Sequence, residues 1–147
     1  MKLSTRGRYA VRALMHLAEN YGKGSTSIKE ISERESISVK YLANIIPLMI
    51  KSGIVKSRKG KGGGFELARE PKKITLYDIL VATERFVSPI HCVKDETECP
   101  NYPKCKAKYV WKGLSAGMEE YMKSHTLYEM IGGEFQQKII DKYMTKK

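Results

Sequence analysis

The stretch that decides the fold is Ile54-Val55-Lys56-Ser57-Arg58-Lys59-Gly60-Lys61-Gly62-Gly63-Gly64-Phe65-Glu66-Leu67. Ile54 to Arg58 reads as a strand and Phe65 to Leu67 as its partner. Four of the five residues from Gly60 to Gly64 are glycine, which makes a hairpin tip with almost no side-chain bulk. A backbone without Cβ atoms approaches another surface closely. Lys56, Arg58, Lys59 and Lys61 surround the tip, so the surface it suits is phosphate or a narrow minor groove, where cations are favoured. The tip is not a P-loop, because no Gly-Lys-Ser/Thr follows and it leads into a strand rather than a helix. It also lacks the glycine spacing and strand-turn-helix setting of a dinucleotide site. The stretch reads as the wing of a winged helix.

The residues upstream supply the rest of that unit. Ser38 is placed to cap a helix from Val39 to about Lys51, with Leu42, Ile45, Ile46, Met49 and Ile50 on one stripe. Lys40, Asn44, Pro47 and Lys51 lie on the opposite face. Pro47 removes a backbone donor inside the helix, and a kink or loosening of the last turn is expected. A shorter helix precedes it, opened by Ser27 with Glu30 three residues on in a capping box and closed near Glu35-Ser36. Two short helices, a tight turn at Ile37 and a polar, basic face on the second helix fit a helix-turn-helix.

A first helix spans residues 5 to 21, with Thr5 as its cap and Ala10, Ala13, Leu14, Leu17, Ala18 and Tyr21 toward a core. Arg6, Arg8 and Arg12 at its start oppose the helix macrodipole, a local cost that is understandable if they face phosphates. Thr75 caps a fourth helix from Leu76 to about Glu84.

Charge follows the same division. The chain carries a net charge of +11 over 147 residues. Residues 1–75 hold 16 Lys/Arg against 6 Asp/Glu, whereas residues 76–147 hold 11 against 10. A basic half joined to a near-neutral half marks a polyanion-binding module attached to something else. No apolar run reaches the roughly 18 residues of a membrane span, and residues 1–8 lack a signal-peptide apolar core. A cytoplasmic protein without membrane contact is expected.

All three cysteines fall in His91 to Cys105, with six residues between the first two and five between the second and third. The residues between them are charged, polar or proline, so packing alone does not hold the loop. An odd count clustered in one loop argues against a secreted disulfide framework and for thiolates converging on a metal centre. After the loop, Lys106 to about Ser124 forms a long helix. Val110, Trp111, Leu114, Met118, Tyr121 and Met122 give it more apolar surface than a lone terminal helix covers, which suggests a second subunit. Gly113 and Gly117 share a face, either to admit a close helix or to relieve local crowding. Thr126 caps a short helix to Ile131, Gly132-Gly133 breaks it, and residues 134–144 show weak helical periodicity.

Taken in order, several of these segments resemble one family. Met1-Lys2-Leu3-Ser4-Thr5-Arg6-Gly7-Arg8-Tyr9-Ala10, Ser38-Val39-Lys40-Tyr41-Leu42, and the wing from Gly53 to Phe65 are similar to bacterial Rrf-two-family transcription regulators of the IscR, NsrR and CymR type. The three cysteines followed by Trp111 are similar to its cluster-binding members. The resemblance covers roughly residues 1–131. It implies a mainly α fold with a small β-hairpin: a winged helix-turn-helix DNA-binding domain (1–84), a cluster-binding loop (85–105), and a dimerisation helix with a C-terminal segment (106–147). It implies a homodimer on double-stranded DNA that senses iron–sulfur cluster status, whether iron, redox or nitric oxide. Carried over by position, Ser38, Lys40 and Tyr41 enter the major groove. Arg58, Lys59 and Lys61 serve the wing, and Cys92, Cys99 and Cys105 ligate an iron–sulfur cluster, [2Fe–2S] favoured over [4Fe–4S], or absent in an apo form.

Two positions depart from the pattern. Lys108 stands where IscR-like members place a histidine ligand, and Arg8 where NsrR-like members place an acidic one. His91, Asp95, Glu98, His16, a partner-subunit group, a small thiol or water are then the remaining fourth ligands. Ala43, where some members carry Glu, bears on the DNA sequences accepted.

Other readings of the loop are a structural zinc site, whose usual paired-cysteine spacing is not met, free redox thiols near Lys94 and Lys104, or cysteines kept without use. A small iron–sulfur redox protein accounts for the loop but not for the wing or the basic half. No nucleophile–base pattern, metal-hydrolase motif or phosphate loop is present, and an enzyme is not expected.

Overall fold

The structure is a computed structural model that describes residues 3–84 and 87–145. Its core is assembled from the N-terminal helices. Helix α1 (Thr5–Glu19) buries Ala10, Ala13, Leu14 and Leu17. These small and branched side chains recur every three or four residues and make one apolar stripe. Ser4, not Thr5, caps the helix: its hydroxyl accepts from the Gly7 amide at 3.1 Å, and Thr5 is already helical.

Helix α2 (Ile28–Glu35) is capped by Ser27, whose hydroxyl accepts from the Glu30 amide. The α2–α3 turn passes through Ser36 at φ 51°, a left-handed conformation that non-glycine residues rarely take. Helix α3 (Val39–Lys51) follows, with Leu42, Ile45, Ile46 and Met49 buried against α1, α2 and α4. It runs unbroken through Pro47. The carbonyl that loses its donor belongs to Ala43, an exposed residue, so water can satisfy it and the helix continues through the proline.

Strands β1 (Val55–Arg58) and β2 (Gly64–Leu67) pair antiparallel, Val55 with Leu67, Lys56 with Glu66, Ser57 with Phe65 and Arg58 with Gly64. Val55 and Leu67 are buried in the core, so the alternate pair Lys56–Glu66 lies on the outer face. The segment before α2 adds a third rung, with Thr26 and Phe65 exchanging backbone hydrogen bonds at 2.9 and 2.8 Å. Gly64 sits at φ 157°, and a Cβ there would run into the Thr26 carbonyl. Only glycine lets the wing lie this close to the α2 lead-in.

Helix α4 (Leu76–Thr83) has a full capping box between Thr75 and Asp78. A second box, Thr126 with Glu129, opens helix α6 (Leu127–Met130). The two caps face each other: the Leu76 amide donates to the His125 carbonyl and the Leu127 amide to the Ile74 carbonyl. Leu127 and Met130 thereby join the same buried cluster as α1 and α3. Between α4 and α6 come the cysteine loop and the long helix α5 (Lys108–Ser124), whose only buried residue is Met122. Helix α7 (Gly133–Ile139) and a π-helical turn (Ile140–Met144) follow α6. The chain is thus mainly helical with one two-stranded hairpin. No helix among the described residues is long and apolar enough to cross a membrane.

Candidate nucleic-acid interface and cysteine loop

Each polar residue expected at DNA has a definite place. Ser38 is the N-cap of α3 and accepts from the Tyr41 amide at 3.2 Å, which leaves its hydroxyl proton for an outside acceptor. Lys40 is exposed on the first turn of α3. Tyr41, on the same turn, is half-buried, its ring packed edge-on against Tyr9 of α1 at 5.2 Å. The Arg12 guanidinium lies 5.5 Å over the Tyr9 ring and pairs with the Glu35 carboxylate at 3.3 Å, while also donating to the Glu35 carbonyl. Glu35–Arg12–Tyr9–Tyr41 therefore forms a buttress joining α1, the end of α2 and the start of α3. It fixes the pose of the third helix. Periodicity did not reveal it, because Arg12 and Glu35 meet only through tertiary packing.

On the wing, Lys59 and Lys61 project as exposed cations at the tip. Arg58 does not stand alone: its guanidinium lies 3.7 Å from Glu66, which also holds Lys56 at 3.3 Å. The hairpin register alone would have located that carboxylate, since Glu66 falls opposite Lys56. Ser25 donates to the Gly62 carbonyl at 2.6 Å and fixes the tip to the α2 lead-in.

The cysteine loop is organised as three one-turn 3-10 segments, His91–Val93, Glu96–Glu98 and Tyr102–Lys104. Cys92 lies within the first, and Cys99 and Cys105 end the second and third. All three are free thiols of intermediate burial. The loop does have an anchor of its own, contrary to its composition: the Tyr102 side chain is only 5 % exposed. Its hydroxyl donates to Glu96 at 2.8 Å, and Lys112 of α5 pairs with the same carboxylate at 3.3 Å. The Tyr102 hydrogen bond, with Lys112 adding to it, holds the Glu96 carboxyl below its ordinary range.

Lys108 donates to the Tyr102 and Pro103 carbonyls at 3.3 and 3.4 Å and lies 5.0 Å over the Tyr102 ring. Lys108 thus clamps the loop backbone. His91 Nδ1 is 3.7 Å from the Glu98 carboxylate. Arg8 donates to the Thr5 hydroxyl. His16 is buried with neither ring nitrogen partnered and lines a depression shared with α2 residues Glu30 and Glu33.

The thiols suit an iron–sulfur cluster in kind, being soft donors, unpaired and on one loop, and are one short of its usual four ligands. Among the described residues, no three histidine, cysteine, aspartate or glutamate side chains are gathered as a metal site.

The end of α4 is linked to the start of α1. Glu84, at the end of α4, accepts from both the amide and the hydroxyl of Ser4, at 3.2 and 2.7 Å. The end of α4 thereby holds the cap of α1.

Helix, turn, helix and wing in this order define a winged helix-turn-helix DNA-binding regulator, and the comparisons agree. Residues 3–133 match the Rrf2 family, described as iron-dependent transcriptional regulators. The chain is 32% identical over 142 residues to the HTH-type transcriptional regulator IscR of Sodalis glossinidius, covering 97% of this chain and 86% of that one. It is similar to the solved structure of T. potens IscR, with TM-score 0.71 and 36% identity over 89% of this chain and 86% of that chain. It is also similar to CymR, the global cysteine regulator of B. subtilis, with TM-score 0.75 and 30% identity over 89% and 96%. The chain belongs to the Rrf2 family of transcription regulators, which are not enzymes.

Proposed function

We propose that the protein is a homodimeric transcription regulator that binds duplex DNA through α3 and the wing and reports iron–sulfur cluster status through Cys92, Cys99 and Cys105. In this reading Ser38, Lys40 and Tyr41 address the major groove, and Arg58, Lys59 and Lys61 address the minor groove or its phosphates. Residues 1–84 form the DNA-binding domain, 85–105 the sensing loop, and 106–147 the dimerisation helix and C-terminal segment. The observation that supports the sensing role is the loop itself: three free, half-buried thiols on consecutive turns, held to α5 by Lys108 and Lys112.

A bound cluster would supply a centre whose charge and ligation change with oxidation, nitric oxide or iron supply. The chain supplies the rest. Cys92, Cys99 and Cys105, one on each of three successive turns, would hold the cluster. Tyr102, Lys108 and Lys112 keep the second half of the loop on α5, and Glu84, at the end of α4, holds Ser4 at the start of α1. With its ammonium committed to loop carbonyls, Lys108 leaves the fourth position to another donor.

Anaerobic purification followed by iron, sulfide and optical analysis tests this reading. Coloured protein with iron and sulfide in comparable amounts is expected. Colourless protein with stoichiometric zinc would replace it with the structural-zinc alternative.

A further inference from the structure

We infer that Glu66 is a specificity-determining residue, a carboxylate that withholds Lys56 and Arg58 from non-specific DNA. The inference rests on the reading that the wing meets DNA.

Lys56 and Glu66 are direct cross-strand partners on the outer face of the hairpin. Glu66 reaches Lys56 at 3.3 Å and Arg58 at 3.7 Å, so one carboxylate serves two of the four wing cations. The three side chains differ in exposure: Glu66 is 19 % exposed, Lys56 58 % and Arg58 61 %. The anion is therefore held by its strand, while both cations ride on long, solvated stems that can swing elsewhere.

Exposed ion pairs of this kind are weak, so a phosphate can compete for either cation. On an arbitrary duplex the contact is loose, and Glu66 keeps its share of both charges while adding its own repulsion. Where a site lets the wing seat fully, Arg58 leaves the carboxylate for the groove. Lys59 and Lys61, at the glycine tip, have no such restraint and supply the sequence-independent attraction. A built-in repulsive element that penalises wrong partners more than the right one raises specificity.

The test is a salt titration of binding to a random-sequence 30-base-pair duplex by wild type, Glu66→Gln, Glu66→Asp and Lys59→Ala. Each cation freed for phosphate steepens the plot of log affinity against log salt by about one. Glu66→Gln is expected to bind the random duplex more tightly at low salt, with a slope steeper by about one to two. Glu66→Asp, which keeps the charge, should retain the wild-type slope. Loss of fold would weaken binding without steepening the slope, so a structural effect reads differently. If Lys59→Ala flattens the slope but Glu66→Gln leaves it unchanged, the wing meets DNA and the role given to Glu66 is wrong. If neither variant changes the slope, the wing reading itself fails.

Discussion

Single residues set the DNA-facing surface by fixing backbone and side-chain pose. Gly64 is the clearest case, because its φ of 157° and its contact with the Thr26 carbonyl leave no room for a side chain. Gly64→Ala should destabilise the head by about 1–3 kcal/mol, measured by urea unfolding, and should misplace the wing. In the proposed function Lys59 acts by charge. Lys59→Ala should weaken binding across DNA sequences and reduce the salt slope by about one, with the melting temperature unchanged. Cations, glycines and cysteines were legible in the sequence, because each acts through its own chemistry. The partners of Tyr41 were not. Tyr9, Arg12 and Glu35 converge only after α1 and α2 pack, so no local spacing marks them.

At the level of elements, caps decide where helices begin and how the C-terminal segment docks. Ser27, Ser38, Thr75 and Thr126 were readable because a short hydroxyl before an apolar stripe has one local use. Helix ends shifted by one or two residues, as with Ser4 for Thr5. The buried Tyr102 anchor was hidden, since the loop composition is polar and the burial comes from α5. The facing caps of α4 and α6 were hidden for the same reason.

Thr126→Ala should cost about 1 kcal/mol in thermal or urea unfolding and loosen α6 from Ile74. The Glu129 carboxyl in the same box is held below its ordinary range, first by the Thr126 amide. A depressed folded value contributes stability that is present above the unfolded carboxylate range and lost as pH falls through the folded value. Glu129→Gln should therefore flatten the acid limb of the unfolding profile while lowering stability at neutral pH.

For the whole molecule, the distribution of apolar surface is informative. Helix α5 leaves Tyr109, Val110, Leu114 and Tyr121 exposed, beside a groove of about 510 Å³ that also takes in Leu76, Leu80, Gly113 and Gly117. A Cβ at Gly113 or Gly117 would meet nothing within the chain, so crowding inside one copy does not explain these glycines. Exposed apolar patches of this kind mark interaction surfaces, and a second copy is the occupant proposed. Leu114→Glu should convert the dimer to a monomer in sedimentation velocity at micromolar concentration; an unchanged dimer would move the interface elsewhere.

In the proposed function the cysteine loop lies between the end of α4, whose Glu84 holds Ser4 of the α1 cap, and α5, which holds the loop through Lys108 and Lys112. The most direct test compares duplex affinity of anaerobically purified protein before and after chelator removal of its iron, at one salt concentration, using a sequence selected in vitro. Coupled sites typically differ by about 5- to 150-fold in affinity, and a change within that range is predicted. Equal affinities for the two forms would contradict cluster control of DNA binding.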